Sequence, residues 1–141
     1  YAADRIRRAG IPNVRLVQTD AADFLHWRIP DACATVIHLY FPDPWPKARH
    51  AKRRMMNDGP LDLIAAKLRP GGEFRFGTDH DVYLRHALMV MRRHKHQFDW
   101  LASEAKDFQV RPGGWPETRY EHKARTAYGH EVWYFRYRRK A

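Results

Sequence analysis

The chain has 141 residues, enough for one small domain, and 44% of them are apolar, enough to supply a core. Its formal net charge of +10 favours a polyanionic partner, with nucleic acid first and an anionic membrane surface second. No apolar run approaches the roughly 20 residues of a membrane span, and the single cysteine, Cys33, excludes an intrachain disulfide and favours a reducing cytoplasm.

Apolar periodicity and turn residues divide the chain into alternating strands and helices. The predicted helices cover residues 1–9, 21–27, 58–68 (cap included) and 81–93. The predicted strands cover residues 14–17, 34–41, 73–77, 98–101 and 131–137. Residues 102–125 have few periodic positions, so we predict an irregular segment of functional importance there. The alternation argues for a doubly wound α/β sheet.

The segment His38–Arg54 is the most distinctive part of the sequence. It begins as an apolar strand end, which we expect to be buried, and it ends in a basic run. The turn between them is stiffened by three prolines, Pro42, Pro44 and Pro46. Each proline favours extended backbone at the residue before it, and Asp43 is the only acid of the turn. A stiff turn at the carboxyl end of a strand is where open α/β sheets place ligands.

Three acids each lie just past a predicted strand: Asp20, Asp43 and Asp79. Because the carboxyl ends of parallel strands share one edge of a sheet, we expect all three to face one crevice. Singly, each is better explained as a helix cap or a turn residue. Together, with a proline-locked turn beside one of them, they favour a site. Trp45 in that turn either stacks on a base or fills the core beneath the turn.

The segment Phe41–Arg54 resembles the signature of the bacterial tRNA (guanine-N7)-methyltransferases. Gly77–His80, Thr118–Glu121 and Tyr128–Trp133 are similar to further marks of that family, in the same order. The resemblance implies a class I S-adenosylmethionine-dependent methyltransferase fold with a Rossmann-like sheet. It also implies methyl transfer from S-adenosylmethionine to guanine N7 in the tRNA variable loop.

The resemblance assigns roles residue by residue. It implies cofactor contacts at Asp20 and Asp43, and it makes Asp43 the catalytic residue as well. The positions implied to bind substrate are Lys47, Asp79, Thr118, Arg119, Tyr120 and Glu121. The remaining residues of the basic run predict contacts with RNA phosphates, and they are Arg49, His50, Lys52, Arg53 and Arg54.

The chemistry of guanine N7 explains why a carboxylate, and no strong base, is expected. N7 already carries a lone pair, so no proton must leave it, and the main task is to align it with the methyl group. A carboxylate such as Asp43 or Asp79 accepts hydrogen bonds from guanine N1–H and the N2 amino group. Those bonds fix the ring and offset the charge that develops on it.

No Gly-x-Gly loop follows a first strand, so the sequence is similar to an amino-terminally truncated family member. Residues 1–141 then form the carboxyl-terminal part of one methyltransferase domain, without its first two strands. In the family order 3-2-1-4-5-7-6, residues 14–17 are strand 3 and residues 34–41 are strand 4. Without strands 1 and 2, the former has no neighbour and the latter becomes an edge. We therefore expect the chain alone to be marginally stable and inactive.

Two other interpretations remain open. Pro42–Trp45 is similar to the Asp/Asn-Pro-Pro-aromatic loop of amino-group methyltransferases acting on adenine or cytosine, although only one proline follows Asp43. A non-catalytic RNA-binding module explains the charge and the aromatic residues alone, but Thr118–Glu121 argues against it. The expected partner is tRNA, with no membrane and no metal, and a monomer is favoured.

Overall fold

The structure, a computed structural model, describes residues 1–141. Its helices are α1 (Ala2–Arg8), α2 (Ala21–Arg28), α3 (Asp58–Lys67), α4 (Asp81–Arg93), α5 (Lys106–Gln109) and α6 (Arg119–Tyr128). Its strands are β1 (Ala34–Tyr40), β2 (Leu68–Thr78), β3 (Phe98–Trp100) and β4 (Trp133–Arg139). A 3-10 helix covers Ala48–Arg53 within the basic run. None of the helices combines the length and the apolar character that a membrane crossing needs.

The four strands form one sheet in the order β1-β2-β4-β3. β1 and β2 are parallel, with Tyr40 opposite Gly77, and β4 runs antiparallel to both of its neighbours. This order corresponds to strands 4-5-7-6 of the family sheet and confirms that part of the predicted topology. β1 is an edge strand, as predicted, and its outer backbone groups have no ladder partner.

Two predictions about strands are wrong. Residues 14–17 form no strand and are exposed, because a short extended segment needs a paired neighbour to persist. Residues 34–40 do form a strand, but none of them is buried. An edge strand has a neighbouring strand on one side only, so even its apolar residues stay partly accessible to solvent.

Residues 102–125 are irregular only in part, because α5 and the first part of α6 lie within them, whereas residues 110–118 form no helix or strand. The Thr118 hydroxyl caps α6 by accepting from the Glu121 amide at 3.0 Å. The helix ends at Gly129, whose φ of +63° suits a residue without a Cβ atom. These two ends fix the position of α6 beside the sheet.

The core lies between one face of the sheet and helices α3 and α4. On that face Phe74 pairs across the strands with Tyr137, and Phe76 with Phe135, at ring-centroid distances of 6.4 and 5.8 Å. The helices cover these rings with Leu61, Ile64, Tyr83 and Val90, which are all almost fully buried. Aromatic burial of this kind dominates the stability of small sheets, and it leaves the carboxyl ends of β1 and β2 free to carry polar residues.

Candidate active site

The parallel strands β1 and β2 end at the same edge of the sheet, and an acid follows each of them. The Phe41 amide donates to the Gly77 carbonyl at 2.8 Å, which holds the two strand ends together. Asp43 lies two residues beyond Phe41 and is exposed, whereas the Asp79 side chain is only 10% exposed. The structure therefore places two of the three predicted acids on adjacent strand ends.

Helix α6 brings a phenol against Asp79 and against Phe41 at the start of the proline turn. The Tyr120 ring lies 4.8 Å from the Phe41 ring, and its hydroxyl donates to Asp79, with both carboxylate oxygens at 3.4 Å. His130 Nδ1 lies 2.8 Å from Asp79 Oδ2. Partial burial raises the pKa of Tyr120 above its ordinary value, and the carboxylate charges of Asp79 and Asp43 raise it further. The phenol thus stays protonated and remains a donor in a cluster of negative charge.

Asp20 does not join this cluster through any hydrogen bond or ion pair. It is the exposed cap of α2, and its Oδ1 atom accepts from the Asp23 amide at 2.9 Å. This is the helix-cap explanation that the sequence left open. Asp43 and Asp79 thus follow adjacent strand ends, whereas no contact connects Asp20 with either of them.

The backbone of the proline turn differs from the sequence-based expectation. Phe41 and Trp45 both precede a proline, yet their φ angles are +51° and +43°. Positive φ at a bulky residue costs on the order of 1–3 kcal/mol and persists only where surrounding contacts impose it. The turn that carries Asp43 is therefore strained at both ends and requires support.

That support comes from Arg54, whose side chain points inward. Arg54 is only 6% exposed. Its Nε atom donates to the Pro44 carbonyl at 2.9 Å and lies 3.2 Å from the Trp45 carbonyl, which also accepts from Nη2 at 2.8 Å. The prediction that Arg54 contacts RNA is not supported by this placement, because its guanidinium is already bonded to backbone.

The aromatic contacts of Trp45 are with the basic run itself. Its ring lies 5.0 Å from the Arg53 guanidinium carbon and 5.8 Å from the His50 ring. The indole therefore packs against the 3-10 helix, and a guanidinium already occupies one of its faces. The cations of the run that remain exposed and unpaired are Lys47, Arg49 and Lys52.

The motif Thr118–Glu121 divides into anchoring and exposed residues. Glu121 is 2% exposed, and its Oε1 atom accepts from Arg111 Nη1 at 2.9 Å and from the Tyr134 hydroxyl. With the cap formed by Thr118, this carboxylate anchors the start of α6. Arg119 and Tyr120 lie between these two anchors and remain exposed. Glu121 is thus placed to position the helix and not to touch a ligand.

Sequence reasoning missed three residues that shape this site. Arg111 and Tyr134 hold Glu121, and His130 holds Asp79. Arg111 lies in the segment that we predicted to be irregular, so no periodicity pointed to it. His130 belongs to the third family mark, Tyr128–Trp133, and its position directly after the helix-ending Gly129 was a usable signal.

The comparisons with known proteins bear on this arrangement. The profile of the family described as "Putative methyltransferase" matches residues 1–134. The chain belongs to this methyltransferase family. A relative from Novosphingobium aromaticivorans, named tRNA (guanine-N(7)-)-methyltransferase, is 74% identical over 99% of this chain. A relative of the same name from Sphingopyxis alaskensis is 71% identical over 99% of this chain. The chain spans 58% of the length of each relative.

The fold of this methyltransferase family member also matches solved structures. A crystal structure of a SAM-dependent O-methyltransferase from Thermotoga maritima covers 99% of this chain at a TM-score of 0.55 and 14% identity. The chain covers 45% of that structure. This likeness confirms the predicted fold class, the α/β sheet of S-adenosylmethionine-dependent methyltransferases. No group of three or more His, Cys, Asp or Glu side chains is arranged to hold a metal ion.

The segment after the basic run is tied to α4 by His86. Its Nε2 atom lies 2.7 Å from the Met56 carbonyl oxygen and 3.0 Å from Asn57 Oδ1, so this nitrogen carries the proton. Burial lowers the pKa of the His86 imidazole below its ordinary value. A depressed folded-state pKa gives stability that is present above the unfolded-state pKa, about 6.5, and is lost as the pH falls through the folded-state value.

We therefore expect the stability difference between the native chain and His86→Gln to narrow below about pH 6.5, since only the native imidazole must gain a proton on unfolding. Urea unfolding of both proteins at about pH 7.5 and about pH 5.5 measures this difference. A difference that is constant or grows on acidification would contradict the assigned direction.

Proposed function

We propose that the chain is part of a tRNA (guanine-N7)-methyltransferase and that residues 1–141 form the carboxyl-terminal part of its single catalytic domain. The observation that carries the proposal is the convergence of Asp43, Asp79 and Tyr120 at one edge of a methyltransferase sheet. The exposed cations Lys47, Arg49 and Lys52 follow directly along the chain. The names of the two close relatives support the same activity.

The side chains at this edge suit a guanine ring. A neutral guanine offers donors at N1 and at the N2 amino group, and carboxylates are acceptors only. Asp43 has no hydrogen-bond partner within the chain and is exposed, so both of its oxygens are available. Asp79 is fixed by His130 and Tyr120, which leaves it oriented but not saturated. The Phe41 and Tyr120 rings supply an apolar wall beside both acids.

The residues do not need to remove a proton, because the N7 lone pair is already free. Their task is to hold the purine in one orientation and to offset its developing positive charge. S-adenosylmethionine supplies the methyl group when it is bound. The Asp43 carboxylate can contact the cofactor as well as the guanine ring. Asp20 caps α2 with one oxygen, and its second oxygen can accept a hydrogen bond from an amine or a hydroxyl of the cofactor.

The decisive experiment is methyl transfer to unmodified tRNA followed by nucleoside digestion. We would test residues 1–141 and a chimera in which this chain replaces the 139 matched residues of the Novosphingobium aromaticivorans relative. We expect 7-methylguanosine from the chimera and no product from residues 1–141 alone. Methylated adenine or cytosine would favour the amino-group alternative. Cofactor-independent RNA binding without any methyl transfer by the chimera would favour the non-catalytic binding module.

The exposed part of the basic run should account for a measurable share of the salt dependence of RNA binding. Removing a side chain that neutralises one duplex phosphate should reduce the slope of log K against log salt by about 0.9. We expect Arg49→Ala and Lys52→Ala each to produce a change of this size in a fluorescence-anisotropy titration. Arg85→Ala, at an exposed α4 arginine that makes no ion pair within the chain, is the matched control. Equal slopes for all four proteins would contradict a phosphate contact.

A further inference from the structure

The basic run contains one arginine that faces the protein interior. Arg54 follows the 3-10 helix immediately, and five other cationic or potentially cationic side chains precede it in the run. Those side chains lie at or near the surface, whereas Arg54 is buried. Burial of a guanidinium is costly unless its donors are bonded, so its partners indicate its task.

The partners of Arg54 are the two carbonyl groups that follow Asp43. Nε and Nη2 donate to the Pro44 and Trp45 carbonyl oxygens at 2.9 and 2.8 Å. The peptide units so held are the second half of the turn, and Pro44 is the residue bonded directly to Asp43. A planar guanidinium with several fixed donors can hold two carbonyls in one relative orientation, which a lysine ammonium does not do equally well.

The backbone at this place needs such a restraint. Trp45 has a φ of +43°, in the left-handed region that bulky residues avoid, and its carbonyl is the one that accepts from both Arg54 nitrogens. Without the guanidinium, Trp45 would relax toward negative φ and would carry the Pro44 peptide with it. Such a relaxation would rotate the residue that precedes Pro44, which is Asp43.

Arg54 is itself held from behind. Its own carbonyl accepts from Asn57 Nδ2 at 2.8 Å, and Asn57 Oδ1 lies 3.0 Å from His86 Nε2 on α4. The Met56 amide next to it donates to the Tyr83 hydroxyl at 3.1 Å, and that ring is fully buried in the core. A continuous set of hydrogen bonds thus connects the core side of α4 to the turn.

We propose that Arg54 is a positioning residue for the reaction, which holds the strained turn so that the Asp43 carboxylate faces the purine. The inference rests on the function proposed above, and it assigns the arginine a task different from phosphate binding. Loss of the restraint should lower kcat and leave the affinity for tRNA unchanged. A misplacement of about 1 Å at a reacting group reduces turnover on the order of 100-fold.

The test compares Arg54→Lys with Arg85→Lys in the chimera, measuring kcat, KM for tRNA and the salt slope of tRNA binding. We expect kcat of Arg54→Lys to fall about 100-fold with an unchanged salt slope, and Arg85→Lys to match the parent. Retained kcat would overturn the inference. So would a smaller salt slope together with weaker binding, which is the signature of a direct phosphate contact.

A second measurement separates this inference from the proposed function. The chimera labelled with 5-fluorotryptophan gives a ¹⁹F resonance for Trp45, which Trp45→Phe assigns. We expect that resonance to shift or broaden in Arg54→Lys and to stay unchanged in Arg85→Lys, whether or not guanine is the substrate. An unmoved resonance would overturn the inference even if methyl transfer is confirmed.

A global loss of fold is distinguished by chemical rescue. Millimolar guanidinium should restore part of the turnover of an Arg54→Gly chimera, because the ion can occupy the vacated donor positions. If Arg54→Lys unfolds and guanidinium rescues no activity in Arg54→Gly, the arginine serves overall stability only and the inference is wrong.

Discussion

Replacing Asp43 with asparagine should lower methyl transfer by the chimera about 100-fold or more, which is the usual cost of losing one charge-stabilising group. The amide has the same shape but no negative charge, and its NH₂ group would face the donors of guanine. Because Asp43 is exposed and makes no hydrogen bond within the chain, its replacement should leave the fold and the tRNA affinity intact. Single-turnover kinetics at saturating tRNA measure the effect.

The matched control for this prediction is Asp99→Asn. Asp99 is an exposed acid on β3, and its ion pair with Lys140, at 3.5 Å, lies on the surface, where such pairs contribute little. We expect the Asp99→Asn chimera to transfer methyl groups at the parental rate. Parental turnover by Asp43→Asn as well would remove this carboxylate from the catalytic role, and equal losses in both variants would indicate a general effect of charge.

Replacing Glu121 with alanine should lower the free energy of unfolding by about 2 kcal/mol, since it leaves the buried Tyr134 hydroxyl and the partly exposed Arg111 guanidinium without their partner. The Glu121 side chain is 3% exposed and serves Arg111, Arg125 and Tyr134 together. Small domains are stable by only about 5–15 kcal/mol, so the loss is large. Urea unfolding of the chimera and of its Glu121→Ala variant, followed by tryptophan fluorescence, measures this loss.

Glu117→Ala is the control within the same region. Glu117 also approaches Arg111, at 4.0 Å, but its side chain is 37% exposed, so its replacement should cost less than about 1 kcal/mol. Glu121→Gln keeps the shape of the side chain, and its loss of stability should lie between those of the two alanine variants. If both alanine variants lose similar stability, the burial of Glu121 does not determine its contribution to the free energy of unfolding, and the prediction is wrong. We also expect Glu121→Ala to weaken the contact of Tyr120 with Asp79, because α6 loses its anchor.

The contrast between α4 and α6 shows what the sequence can predict. The bounds of α4, Asp81–Arg93, agree with the prediction because an apolar stripe marks one face of that helix. The residues of α6 that are buried are Ala124 and the carboxylate-bearing Glu121. A helix that docks through an ion pair has no apolar stripe, so periodicity cannot reveal it. The Thr-x-x-Glu spacing at residues 118–121 was the available signal for its start.

The basic run shows a second feature that the sequence cannot predict, the direction of each cationic side chain. Composition predicts a cationic surface, but it cannot tell which cation turns inward, because that depends on the strained carbonyls of a turn about ten residues earlier. Arg54 and Arg53 are neighbours in sequence, yet one bonds to backbone and the other stacks on Trp45. Phe41 and Trp45 each precede a proline, which favours extended backbone, yet both have a positive φ angle. Tertiary contacts therefore determine these angles.

The position of β4 in the sheet has a consequence for how the protein is made. β4 is the last strand in the chain, yet it lies between β2 and β3 and is the only partner of β3. A nascent chain on the ribosome therefore cannot complete the sheet until residues 133–139 have left the exit tunnel. Until then, the edge of β2 that pairs with β4 keeps its backbone groups unpaired and open to chaperones and to aggregation, as expected for folds that depend on distant pairing.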